Sequence, residues 1–127
     1  MNQLSGLTLA YLGDAYYELE IRTYLINQGY TNVNLLHQKA IFFTSAVGQA
    51  KAIEKLQEGF LTEDEINVYK RGRNATSTHK PKNAELSTYR FATGFEALIG
   101  FLVQEKEFAR ANEIILRSIQ IIEELQN

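Results

Sequence analysis

Apolar residues recur at steps of three and four along nearly the whole chain, and this spacing constrains the fold more than any other feature. Such spacing lays side chains along one face of a helix, whereas a half-buried strand needs strict alternation. No alternating run bounded by turn residues occurs, and no internal repeat. Pro81 is the single proline, so long stretches are free to be helical. The expected class is all-α, with five or six helices in one domain spanning residues 1–127.

Start and stop signals divide the pattern. A first helix runs from Leu7 with the stripe Leu12, Ala15/Tyr16, Leu19, Thr23 and Ile26, and Gly29 suits its C-terminal stop. Asn32 or Asn34 can cap a second helix that ends near Gly59, with a bend expected around Thr44-Ser45. Thr62 and Glu65 have the spacing of a capping box, with Leu61 at the staple position, and open a third helix that runs into Lys70-Arg71-Gly72-Arg73. Residues 74–84 form the clearest loop. A helix then passes through Leu86, Tyr89, Phe91, Phe95, Leu98 and Leu102. The last, roughly 106–125, carries the stripe Phe108, Ala111, Ile115, Ile119, Ile122 and Leu125. Ala92, Gly94, Ala97 and Gly100 are unusually small for a helix face. An interior glycine costs about 1 kcal/mol against alanine, so another element must approach the backbone there.

Composition removes several function classes. With no cysteine, disulfides, zinc ribbons, iron–sulfur clusters and thiol nucleophiles are excluded. Two histidines, His37 and His79, give no metal spacing; His37, among Leu35, Leu36 and Ala40, reads as a packed or hydrogen-bonded histidine rather than a ligand. The start has no basic leader region and soon carries Asp14, Glu18 and Glu20, and the longest uncharged run, Ala40 to Ala50, is far short of the ~20 residues of a spanning helix. A cytoplasmic protein with no membrane partner is expected. Net charge is −2 but uneven: residues 70–90 hold a local +5 and the remainder −7. That segment reads either as a solvated loop or as a polyanion dock.

Two places could hold a cation. Asp14 and Glu18 share one helical face, which is either a polar stripe with Arg22 neutralising Glu18 or part of an oxygen-ligand site for Mg²⁺. Glu96 lies inside the apolar run FATGFEALIGFL, where an unpaired buried carboxylate is strongly disfavoured. It must face water, a cationic partner or a metal.

The segment Leu12-Gly13-Asp14-Ala15 resembles the heart of the ribonuclease III signature, and Phe95-Glu96-Ala97-Leu98-Ile99-Gly100 resembles that family's second carboxylate helix, 82 residues further on. Tyr69-Lys70-Arg71-Gly72-Arg73-Asn74-Ala75, Pro81-Lys82-Asn83 and Tyr89-Arg90 extend the likeness over nearly the whole chain, nearest to the Mini-ribonuclease III subfamily, which lacks a double-stranded-RNA-binding domain. The resemblance implies a helical endonuclease domain that cuts double-stranded RNA with Mg²⁺, leaving 5′-phosphate and 3′-hydroxyl ends. In this subfamily the substrate is the 23S ribosomal RNA precursor. It implies a homodimer, in keeping with the broad apolar faces of the first and last helices, and a large-subunit ribosomal protein as a further partner. Asp14 and Glu96 carry over as catalytic metal ligands. Three other positions that are acidic in full-length ribonuclease III hold Leu7, Ala10 and Thr93. Those losses keep open a catalytically weak or inactive helical RNA-binding factor in ribosome assembly as the alternative. By its spacing, Glu18 can support the metal site from behind. Lys70, Arg71, Arg73, Asn74, Lys80, Lys82 and Arg90 are the expected RNA contacts.

Overall fold

The computed structural model describes residues 3–75 and 85–126, all helices and connections, with no strand among them. The helices are α1 (Gly6–Asn27), α2 (Val33–Thr44), α3 (Ala46–Leu56), α4 (Glu63–Arg73), α5 (Leu86–Gln104) and α6 (Phe108–Gln126). The fold is all-α, as the periodicity predicts. Among the described residues no helix is long and apolar enough to cross a membrane.

The expected bend is a full break. Ser45 is extended (φ −66°, ψ 156°), so it ends α2, and its hydroxyl caps α3 by accepting from the Gly48 amide at 3.1 Å. Asn32, rather than Asn34, caps α2 through the Leu35 amide, and Gly29 and Gly59 take positive φ at the turns. Thr62 and Glu65 form the reciprocal capping box.

α5 is the axis of the bundle: Phe95, Ala97, Leu98 and Ile99 are fully buried, and α1, α3, α4 and α6 pack around it. On α1 the buried residues are Gly6, Leu9, Ala10, Gly13, Tyr17, Ile21 and Leu25. The stripe expected through Leu19, Thr23 and Ile26 faces outward instead. Apolar residues surround α1, so packing selects the face. Gly13 admits α5, and Tyr17 finds a partner for its hydroxyl in the Phe43 carbonyl (2.8 Å) while meeting Phe95 edge-on. His37 is exposed and lines a cavity of about 350 Å³ between α1 and α2, so it is not packed in the core. On α6 the inward residues include Ala111, Ile115, Ile119 and Ile122, as expected, while Phe108 and Leu125 stand at the surface.

Glu65 has a second task. Arg110 of α6 donates to both its carboxylate oxygens at 2.8 Å and to the Phe60 carbonyl at 2.9 Å, tying the start of α4 to α6. Arg110 holds Glu65 below the ordinary carboxylate range, and the Thr62 amide adds to the effect against the cost of burial. A depressed folded-state pKa gives stability that is present above the unfolded pKa and lost as pH falls through the folded one. Arg110→Met should therefore cost about 2–3 kcal/mol at pH 7, less than the roughly 3–5 kcal/mol of a fully buried pair because Arg110 keeps some exposure. Urea unfolding across pH 2–7 checks this: the variant should lose less stability than the parent on acidification, and equal acid sensitivity would contradict it.

Candidate active site

Asp14 and Glu96 meet because α1 and α5 touch backbone to backbone. A methyl placed on Gly13 would overlap the Glu96 carbonyl oxygen and stand 2.7 Å from the Gly100 amide nitrogen; one on Gly100 would overlap the Leu9 carbonyl oxygen. Only hydrogen at both positions allows this crossing. Asp14 follows Gly13 directly, and Glu96 lies one turn before Gly100, so both carboxylates project from the same crossing point. Gly94 similarly receives Tyr69, whose ring carbons would be 2.6 Å from an added methyl, and brings the basic end of α4 against α5.

The Asp14 side chain is exposed and Glu96 half-buried, with the two carboxyl groups within hydrogen-bonding reach. Burial first, and then the hydrogen bond and charge of Asp14, push Glu96 up to about 9, against a lowering hydrogen bond from Gln49. Two adjacent carboxylates that resist joint ionisation form an oxygen-donor pair suited to a hard divalent cation, which offsets the repulsion between them. Among the described residues no histidine, cysteine or third carboxylate completes a cluster. Glu18 pairs with Arg22 at 3.7 Å and lines the α1–α2 cavity. The three positions without the expected acids hold a surface leucine (Leu7), a buried alanine (Ala10) and a buried threonine, Thr93, whose hydroxyl donates to the Tyr89 carbonyl.

Gln49 is not legible in the sequence as a site residue. It is 1% exposed on α3, and its amide nitrogen donates to Glu96 Oε2 and to the Thr44 carbonyl, each at 3.3 Å. Its one sequence signal is a lone large polar side chain near the end of the uncharged run Ala40–Ala50.

The basic residues divide by what they touch. Arg71 donates to the Leu4 carbonyl at 3.0 Å and toward Gln3, and so anchors the segment before α1. Arg73 lies over the Tyr69 ring and donates to Asn74, which ends α4. Arg73, Asn74 and Arg90 line one shallow depression where α4 ends and α5 begins, and Lys70 is exposed nearby. Lys80, Lys82 and His79 lie outside the described residues.

The chain matches the family described as Ribonuclease III domain over residues 7–107. It is 49% identical over 114 residues to an Enterococcus faecalis protein named Mini-ribonuclease 3, covering 89% of this chain and 86% of that one. A Streptococcus pneumoniae protein of the same name is 44% identical, with 97% of each chain covered. A crystal structure of a Fusobacterium nucleatum protein superposes with a TM-score of 0.82 at 33% identity, over 94% of each chain.

The crossing gives a test in which two forces have opposite signs. In an ordinary helix interior, Gly→Ala gains about 1 kcal/mol. At Gly100 the methyl strikes the Leu9 carbonyl, so Gly100→Ala should instead lose more than about 3 kcal/mol, beyond the usual range for overpacking. Denaturant unfolding decides it; a neutral or stabilised variant would mean that the helices are further apart.

Proposed function

The chain belongs to the ribonuclease III family and is an endoribonuclease, and from that premise we propose that it cuts double-stranded RNA with Mg²⁺ held between Asp14 and Glu96. The observation that carries this reading is the meeting of those two carboxylates at the α1–α5 crossing. Asp14 and Glu96 would hold the cation, with Gln49 keeping the Glu96 side chain in place. Once bound, Mg²⁺ supplies an activated water and relieves charge on the scissile phosphate. The family's lost acids leave a lean donor set, and two carboxylates plus waters and a substrate phosphate suit one Mg²⁺.

This domain itself offers a grip on such a substrate. Lys70, Arg73, Asn74 and Arg90 offer cations and a polar amide where α4 ends and α5 begins, which would position a phosphate backbone without reading sequence. Duplex RNA suits such a surface, because it is recognised mainly through shape, phosphates and 2′-hydroxyls. The substrate we favour is the 23S ribosomal RNA precursor, on the resemblance to the Mini-ribonuclease III subfamily. One site cuts one strand, so duplex cleavage favours a two-fold homodimer. Leu4 just before α1, and Leu7 and Tyr11 on its first turns, support this: all three are exposed apolar residues at helical spacing, one turn short of Asp14, with Tyr11 83% exposed.

Asp14→Asn and Glu96→Gln should each slow cleavage of a plain RNA duplex by about 10³-fold or more, equivalent to ~4 kcal/mol of transition-state stabilisation. Circular dichroism should remain unchanged. A near-normal rate in either variant would contradict the metal reading.

Binding is tested separately, with Ca²⁺ replacing Mg²⁺. Alanine at both Arg73 and Arg90 should reduce the slope of log affinity against log salt by about one unit for each phosphate that is no longer neutralised. An unchanged slope would leave this surface without a role in RNA binding. Arg71→Ala should act mainly through stability, since its guanidinium holds the N-terminal segment.

A further inference from the structure

We propose that Gln49 is a positioning residue that fixes the carboxylate of Glu96 from the elbow between α2 and α3. This rests on the reading of Asp14 and Glu96 as the metal-holding pair.

Four polar residues are buried among the described residues: Gln49, Glu65, Thr93 and Ser118. Thr93 and Ser118 donate to carbonyls one turn back in their own helices, and Glu65 is satisfied by its cap and by Arg110. Gln49 differs. Its amide nitrogen reaches across to a carboxylate on another helix, while its Oε1 is buried without a hydrogen-bond partner. An apolar side chain of similar length would lose the bond to the Thr44 carbonyl but also remove that unsatisfied acceptor, so for the fold alone the two nearly offset and the bond that sets this glutamine apart is the one to Glu96.

The elbow holds this amide firmly. The Ser45 hydroxyl accepts from the Gly48 amide, the Ser45 carbonyl accepts from the Gln49 backbone N–H at 3.0 Å, and Gly48 lets α3 start against the last turn of α2. A methyl on Gly48 would overlap the Phe42 carbonyl oxygen. With its backbone fixed, Gln49 divides its two side-chain N–H donors between the Thr44 carbonyl and Glu96 Oε2, which locks the amide plane and one oxygen of the carboxylate. The chemistry suits the task. A lysine in this place would neutralise Glu96 and compete with a cation, whereas a neutral amide orients the carboxylate and leaves its charge for the metal. Groups that orient metal ligands in this way typically contribute about 10–100-fold in metal affinity.

The test uses the full chain without RNA and reads Mn²⁺ binding by electron paramagnetic resonance, in the parent and in Gln49→Met, Gln49→Leu and Glu96→Gln. Melting in EDTA is measured alongside. Gln49→Met should melt in EDTA at or above the parent temperature, yet bind Mn²⁺ about 10–100-fold more weakly. The Mg²⁺ concentration for half-maximal duplex cleavage should rise by a similar factor, with a smaller fall in the rate at saturating Mg²⁺. A folded Gln49→Met with Mn²⁺ affinity within about twofold of the parent overturns the proposal, being far below the effect expected of a group that orients a ligand. Loss of the fold in both apolar variants also overturns it, since Gln49 would then be a structural residue. Glu96→Gln separates the two claims. If it loses Mn²⁺ while Gln49→Met keeps it, only the positioning role falls; if it keeps Mn²⁺, the metal-site reading falls and this proposal with it.

Discussion

The close approach of α1 and α5 at Gly13 and Gly100 is the contact on which the rest depends. It is a contact between backbones, so it sets the helix spacing more tightly than interdigitated side chains would. With α1 fixed against α5, the backbones that carry Asp14 and Glu96 are held side by side. With α4 fixed at Gly94, the basic end of that helix lies beside the start of α5. The acidic pair and its basic flank both follow from how α5 is packed.

Glu65 and Glu96 illustrate opposite uses of the same side chain. Glu65 is fully matched by Arg110 and the Thr62 cap, which keep it ionised and make it a structural lock. Glu96 has a neutral amide and a second carboxylate as neighbours, so its charge is resisted rather than matched. A fold tuned for stability alone would pair it or replace it. An unmatched carboxylate at a helix crossing is the local conflict expected where a site does chemistry.

Much of this is legible in the chain. Period, caps and turn glycines locate the helices, because those signals are local. The small residues on α5 correctly imply a close neighbour, since interior glycines have a cost that packing must offset. Asp14 and Glu96 stand out as acids in apolar surroundings or in a motif. The inward face of α1 is not legible, because apolar residues surround that helix and α5 makes the choice. Arg110 as the partner of Glu65, 45 residues away, and Gln49 as the partner of Glu96, 47 residues away, depend on tertiary placement that no local pattern encodes. The basic segment looks uniform in sequence but is not: Arg71 anchors the N-terminal segment, while Arg73 and Arg90 line a shared surface.

The central claim is that the helix crossing makes a cation site from one carboxylate on each helix. Anomalous diffraction from crystals soaked in Mn²⁺ tests it most directly. The expected result is a cation within about 2.0–2.3 Å of carboxylate oxygens from both Asp14 and Glu96, at oxygen-ligand distances between those of Mg²⁺ and Ca²⁺. A cation bound elsewhere, with neither carboxylate among its ligands, would contradict it.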